Sequence, residues 1–216
     1  MKTAPLPFTI DDFSYPPAEK ALMLTLLARH NPRLMAEFGS GNSTCLWAKH
    51  SQTSIITWDN FPDWVEMVRN ECAVQPWSRQ IEFRSYDVTP PGPRSVAKDP
   101  VPYSGPPFDF FFLDGPRSAH ETSYGRSGTF RFAAQHAREG ACVIWHDAQS
   151  EPQIDWAFRC FRHCVIHQAG RLSWCIWHKP TPARIPAILW NLCRPRYWRL
   201  ARNFSLCDIF STRILL

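Results

Sequence analysis

No stretch of this 216-residue chain is long and apolar enough to span a bilayer, and its opening, MKTAPLPFTIDDF, lacks the apolar core of a secretion signal. The expectation is a cytoplasmic protein whose eight cysteines stay reduced and buried rather than paired in disulfides. A charge surplus is missing from most of the chain as well. The net charge is +5, yet residues 179–216 carry seven basic residues against Asp208 alone, which leaves −1 over residues 1–178. A near-neutral body gives nucleic acid nothing to bind, and no nucleic-acid partner is expected. Metal-finger spacing is absent too. Cys160, His163, Cys164, His167, Cys175 and His178 crowd together, but their intervals fit no zinc ribbon or finger, and several alternate within expected strands.

Disorder is excluded by a 44% hydrophobic and 20% charged composition, and the length suits one α/β domain with a sizeable core. We expect that domain over residues 1–180, with a helical lead over 1–33, and a basic, aromatic tail over 181–216. With only nine glycines in the chain, the pair in AEFGSGNST, Ala36 to Thr44, stands out. An apolar run closes on Glu37 and opens into a loop around Gly39 and Gly41, where glycine permits a sharp turn and a close backbone approach to a ligand. Ser43 and Thr44 then offer N-cap chemistry to the next helix. The loop reads as a cradle for a nucleotide-type cofactor.

Elements alternate around it. Tyr15 to His30 has prolines at a helix start and leucines at helical spacing, and Asn31-Pro32 ends it. Leu34–Phe38 is a first strand; a helix over Thr44–His50 leads to a second, Ser54–Trp58, that finishes on Asp59. An acid there, 20 residues after Gly39, suits the ribose hydroxyls of a cofactor; the plain alternative is a cap for a helix at Pro62-Asp63-Trp64. A helix over Trp64–Cys72 precedes a third strand, Ile81–Tyr86, ending at Asp87. Thr89–Pro107 is a long loop rich in Pro, Ser and Gly. The run Phe108–Leu113, the most apolar of the chain, belongs at the sheet centre and ends at Asp114. A helix over Gly125–His136, with Gly140 near its end, leads to a strand over Ala141–Trp145 that ends in His146-Asp147. A helix over Gln153–Arg162 and an antiparallel pair, Cys164–Gln168 and Arg171–Trp177, complete the body. Strands thus end repeatedly on polar residues, which a doubly wound sheet gathers on one rim, where ligands bind.

Together, EFGSGNST, ITWDN, FDFFFLDGPR and CVIWHD resemble the class I S-adenosylmethionine-dependent methyltransferases from about Leu34 to His178. The pattern of FGSGNST, DGP, Tyr124-Gly125-Arg126 and a strand ending in His-Asp is similar, more narrowly, to polysaccharide O-methyltransferases of the glucuronoxylan kind. The resemblance implies a Rossmann-like, doubly wound, mostly parallel seven-stranded sheet with an antiparallel terminal strand and helices on both faces. It implies S-adenosylmethionine as cofactor. Glu37, Gly39, Gly41, Asn42, Ser43 and Thr44 would then line its methionine part, Asp59 its ribose and Asp87 its adenine, with Asp114 at the mouth toward the acceptor. Ser43 stands where a third glycine is common, and Glu37 would repel a pyrophosphate while suiting a cationic amine, so charge favours the sulfonium cofactor over a dinucleotide.

The implied reaction is methyl transfer to an acceptor hydroxyl, on a sugar, polysaccharide or small molecule. His146 or Asp147 is placed first as general base, with Asp114 beside them; alternatively Asp114 and Asp147 share a divalent ion that acidifies the hydroxyl. Arg117, His120 and Arg126 are the candidate acceptor-binding residues, the arginines for an acidic sugar carboxylate or a phosphate. A catalytically inactive binding protein of the same fold is the rival from another class, and a nicotinamide oxidoreductase is the weaker third. The tail interleaves Trp190, Tyr197, Trp198 and Phe204 with arginines, which suits peripheral contact with an anionic membrane face or packing on a second subunit.

Overall fold

A computed structural model describes residues 15–86, 103–115, 126–149 and 151–181. The expectations for Asp87, Arg117, His120, most of the Thr89–Pro107 loop and the C-terminal tail fall outside those residues. Seven strands form one sheet in the order β3-β2-β1-β4-β5-β7-β6. They are β1 (Leu34–Phe38), β2 (Ser54–Asp59), β3 (Ile81–Ser85), β4 (Phe108–Leu113), β5 (Ala137–Trp145), β6 (His167–Ala169) and β7 (Leu172–Ile176). The first five pair in parallel, and β7 runs antiparallel to both β5 and β6. Five helices accompany them: α1 (Pro17–His30), α2 (Asn42–His50), α3 (Pro62–Ala73), α4 (Ser127–His136) and α5 (Glu151–Phe161). This is the α/β Rossmann-like mixed sheet that the sequence implies. None of the described helices is long and apolar enough to cross a membrane.

Strand periodicity sorts the core into two layers. Phe111 and Leu113 of β4, with Phe38 and Trp58, join Phe130, Phe132, Phe158 and Phe161 of α4 and α5 on one face. Phe110 and Phe112, with Met35 and Ile55, pack on Met23 and Leu27 of α1 and Leu46 and Trp47 of α2 on the other. β4 lies fourth of seven and carries phenylalanines on both faces, all of them fully buried. Its continuous apolar run is what a doubly covered strand requires. The six described cysteines are buried, and none of them is in a disulfide.

Two boundaries differ from expectation by more than two residues. Gly140 does not end a helix: β5 begins at Ala137, directly after α4, and Gly140 lies inside it at φ +84°. The β4–β5 register jumps from Phe108↔Ala137 to Phe110↔Cys142, so residues 138–141 form an irregularity that a left-handed glycine permits. Arg-Glu-Gly reads as a helix terminus in sequence because the same left-handed glycine serves both purposes. The sixth strand is also shorter than expected, since Cys164 and Ile166 enter the α5 layer of the core instead of the ladder.

Backbone contact joins the carboxyl ends of β1 and β4. A Cβ on Gly39, which sits at φ +101°, would lie 3.0 Å from the Asp114 carbonyl carbon and 3.0 Å from the Gly115 nitrogen. A Cβ on Gly115 would lie 2.7 Å from the Gly39 nitrogen. The two loops therefore pass as bare backbone. Gly41 differs: its φ of 161° is extended, and a Cβ there would meet only a Trp64 ring carbon, at 3.8 Å. Equilibrium urea unfolding should show Gly39→Ala and Gly115→Ala each losing on the order of 3 kcal/mol, as clashes with backbone do. Gly41→Ala should lose less than about 1 kcal/mol. Equal losses at all three positions would contradict this placement.

Candidate active site

At the end of β1 the Glu37 carboxylate is fully buried. The Ser43 hydroxyl donates to one oxygen at 2.6 Å and the Thr44 hydroxyl to the other at 2.5 Å. Thr44 also accepts the Gly41 N–H at 3.0 Å, so it closes the start of α2 from inside the first turn. The expected N-cap chemistry holds for Thr44 at the third helical position, whereas Ser43 turns to Glu37: α2 starts at Asn42, Gly41 is the capping residue, and both hydroxyls donate to Glu37. Burial pushes the Glu37 carboxyl up to about 7, although the Ser43 and Thr44 hydroxyls favour its charged form. Among the described residues no basic side chain pairs with it.

Asp59, at the tip of β2, ties the glycine loop to the next one. It accepts the Ser40 N–H at 3.0 Å on one oxygen and the Phe61 N–H at 3.1 Å on the other, while Trp64 Nε1 donates to the Ser40 carbonyl at 2.7 Å. Burial raises its carboxyl to about 6 against those two backbone donors. The bond to Phe61 does resemble capping, since Phe61 is the residue before α3. The bond to Ser40 holds the loop that contains Gly39 and Gly41.

The second half of the rim comes from the ends of β4 and β5. His146 Nδ1 lies 3.2 Å from Asp114 Oδ1 and 3.5 Å from Asp147 Oδ1, and its Nε2 lies 3.5 Å from Glu19 Oε2 of α1. Burial works against the imidazolium, but the hydrogen bond to Asp114 and the charges of Asp114 and Asp147 outweigh it and raise the His146 pKa. Burial likewise disfavours the Asp147 carboxylate, yet the Arg171 hydrogen bond, His146 and Arg126 more than offset it and hold its pKa below the ordinary value. Arg126, immediately before α4, places Nη2 3.1 Å from both Asp114 Oδ1 and Asp147 Oδ2, and Nη1 donates to the His146 carbonyl at 2.8 Å. Tyr15 donates to Asp114 Oδ2 at 3.2 Å, with its ring edge-on to His146 at 5.4 Å.

Glu37, Gly39, Gly41, Asn42, Ser43, Thr44, Asp59, Asp114, His146, Asp147 and Arg126 are thus all at the carboxyl ends of the strands or the helix starts beside them. Asp114 joins the two halves through its backbone contact with Gly39. Three residues of the rim went unread in the sequence: Tyr15, Glu19 and Arg171. They come from the residues leading into α1, from α1 itself and from the β6–β7 turn, far from any motif, and Glu19 carries an ordinary signal of a helix first turn. Arg171 forms an ion pair with Asp147, and its N–H donates to Glu19 Oε1 at 2.7 Å. Within the Cys160 to His178 run, the Cys164 thiol meets Cys175 and His163. Among the described residues the grouping of three ligand-type side chains is Asp114, His146 and Asp147, with ligand atoms within 4.8 Å of one another.

No family model matches the chain, and no curated protein sequence matches it. The fold is shared with solved methyltransferases at low sequence identity. TomG from Streptomyces achromogenes, an O-methyltransferase involved in tomaymycin synthesis and solved in complex with SAM, superposes with a TM-score of 0.55 at 14% identity, covering 77% of this chain and 82% of that one. The O-methyltransferase from Bacillus cereus in complex with SAH gives 0.53 at 14% identity, over 78% and 84% of the two chains. A methyltransferase-like protein from Silicibacter pomeroyi gives 0.54 at 16%, over 82% and 95%. What these likenesses establish is the fold of S-adenosylmethionine-dependent O-methyltransferases.

The Glu37 carboxyl supplies a pH test of the site. Its folded pKa, about 7, stands above the ordinary 4.5, so its contribution to stability is complete below about pH 4.5 and is lost as pH rises through about 7. Glu37→Gln cannot ionise. Relative to Glu37→Gln, the wild-type protein should lose about 3 kcal/mol of unfolding free energy between pH 5 and pH 8. Parallel urea stabilities for the two proteins across that range would contradict the burial of an ionisable group.

Proposed function

We propose that the chain is an S-adenosylmethionine-dependent methyltransferase acting on a hydroxyl oxygen, with sugar hydroxyls as the acceptor class. One observation carries the reading: Glu37 is a buried carboxylate with hydroxyl donors and no described counter-charge, set beside a loop that passes as bare backbone. A cationic amine relieves that burial cost, whereas a phosphate would worsen it. Because Glu37 is fully buried, the amine of the methionine part meets its charge across Ser43 and Thr44. Asp59 disfavours a pyrophosphate at the neighbouring strand tip and suits ribose hydroxyls, whose protons its remaining lone pairs can accept.

S-Adenosylmethionine supplies a methyl group on a sulfonium, and its thioether leaves uncharged, so no acid is needed. The protein has to hold the acceptor in line and take the hydroxyl proton. His146 is the proposed proton acceptor. Asp114 fixes its Nδ1, and the two carboxylates that raise its pKa stabilise the imidazolium formed when the proton arrives. Arg126 turns its guanidinium inward onto Asp114 and Asp147, so an acidic sugar carboxylate at that position would compete with internal partners. Binding without transfer is the second reading, and it is favoured by Tyr15, whose hydroxyl already occupies Asp114.

Calorimetric titration with S-adenosylhomocysteine tests the assignment. If the ammonium binds only when Glu37 is ionised, with a carboxyl pKa of about 7, Kd should tighten about tenfold from pH 6 to pH 8. Glu37→Gln should remove that dependence, and Asp59→Ala should weaken binding at both pH values. Tight binding of a nicotinamide dinucleotide with none of S-adenosylhomocysteine would overturn the reading.

A further inference from the structure

Two carboxylates and an imidazole within 4.8 Å offer a donor set that a divalent ion can use. The space between the carboxylates is taken, however. Arg126 Nη2 reaches Asp114 Oδ1 and Asp147 Oδ2 at 3.1 Å each, and Nη1 donates to the His146 carbonyl at 2.8 Å, so one guanidinium touches all three residues. Its stem is anchored as well, because the Arg126 carbonyl accepts the Thr129 hydroxyl at 2.8 Å and the Phe130 N–H at 3.1 Å at the start of α4. Arg126 is 12% exposed, which makes its pairs more than surface contacts.

We propose that Arg126 is the resident cation of this rim: it stands where a divalent ion would bridge Asp114 and Asp147, and the site takes no metal. Charge on every adjoining element agrees. The carboxylates of Glu19 on α1, Asp114 after β4 and Asp147 after β5 face Arg126, Arg171 of the β6–β7 turn and, when protonated, His146. Among the described residues of the rim, three acidic groups thus meet three basic ones. A divalent ion would add two charges to a balanced cluster, and would have to displace a guanidinium that makes two ion pairs and a carbonyl contact. A planar guanidinium also spans oxygens on two separate residues, which a lysine ammonium at the same place would do less well. This leaves proton removal to side chains, and it rests on the preceding reading only in taking the rim as the acceptor side.

Manganese uptake tests the proposal without cofactor or acceptor, so it fails separately from methyl transfer. The free Mn2+ electron paramagnetic resonance signal is followed as wild-type protein, and then Arg126→Met, is added to micromolar Mn2+. Wild type should leave the signal unchanged. Arg126→Met, folded by circular dichroism, should quench it with at least a tenfold tighter apparent Kd, and Asp147→Asn in that background should abolish the gain. One-to-one uptake by wild type that is lost in Asp114→Asn overturns the proposal, as does a folded Arg126→Met that takes up none. Should Arg126→Met fail to fold, the wild-type titration decides alone: no uptake supports the proposal and stoichiometric uptake overturns it.

Discussion

A negative charge buried with no counter-ion among the described residues is costly, and at the end of β1 the chain sets one, on Glu37. Its surroundings are organised around that cost. Ser43 and Thr44 turn their hydroxyls onto the carboxylate, Thr44 while also accepting the Gly41 N–H. Gly39 and Gly115 remove side chains where the β1 and β4 loops cross, which brings Asp114 to within reach of the same loop. Asp59 holds that loop from the other side through the Ser40 N–H. Hydroxyls soften the burial but do not cancel it, as a carboxyl pushed up to about 7 indicates. The proposed cationic ligand would offset what remains of that cost.

The rim beyond Asp114 obeys the opposite rule. There the acidic and basic groups are nearly matched, with Arg126 shared between two carboxylates and His146 between three. A matched cluster is a poor trap for an external ion and a good frame for a side chain that must gain and lose a proton. The uncompensated charge and the compensated cluster adjoin at Asp114, so the proposed cofactor side and acceptor side differ in electrostatic character within a few residues.

Sequence and structure agree most where one physical signal dominates. β1 and β4 coincide with their expected bounds because a continuous apolar run buried on both faces has few alternatives. Glu37, Asp59, Asp114, His146 and Asp147 were legible because each directly follows or closes such a run. The misread places share a cause: one local signal served two structures. Gly140 in the left-handed region marks a strand irregularity as well as it marks a helix end, and Ser43 suits an N-cap as well as a carboxylate. Tyr15, Glu19 and Arg171 were beyond sequence reading altogether, because only the packing of α1 and the β6–β7 turn against β5 brings them to the rim. At Gly41 neither φ nor the surrounding protein requires glycine.

The central claim concerns the charge state of one side chain, and carboxyl carbon NMR reads it directly. In protein labelled at glutamate carboxyl carbons, with the Glu37 resonance assigned by its absence in Glu37→Gln, the titration midpoint should fall near the raised value of about 7 in the free protein. Saturating S-adenosylhomocysteine should move that midpoint down by at least one unit, as expected when an ammonium group stabilises the carboxylate. A midpoint at the ordinary glutamate value in the free protein, or one that S-adenosylhomocysteine leaves in place, would contradict the account.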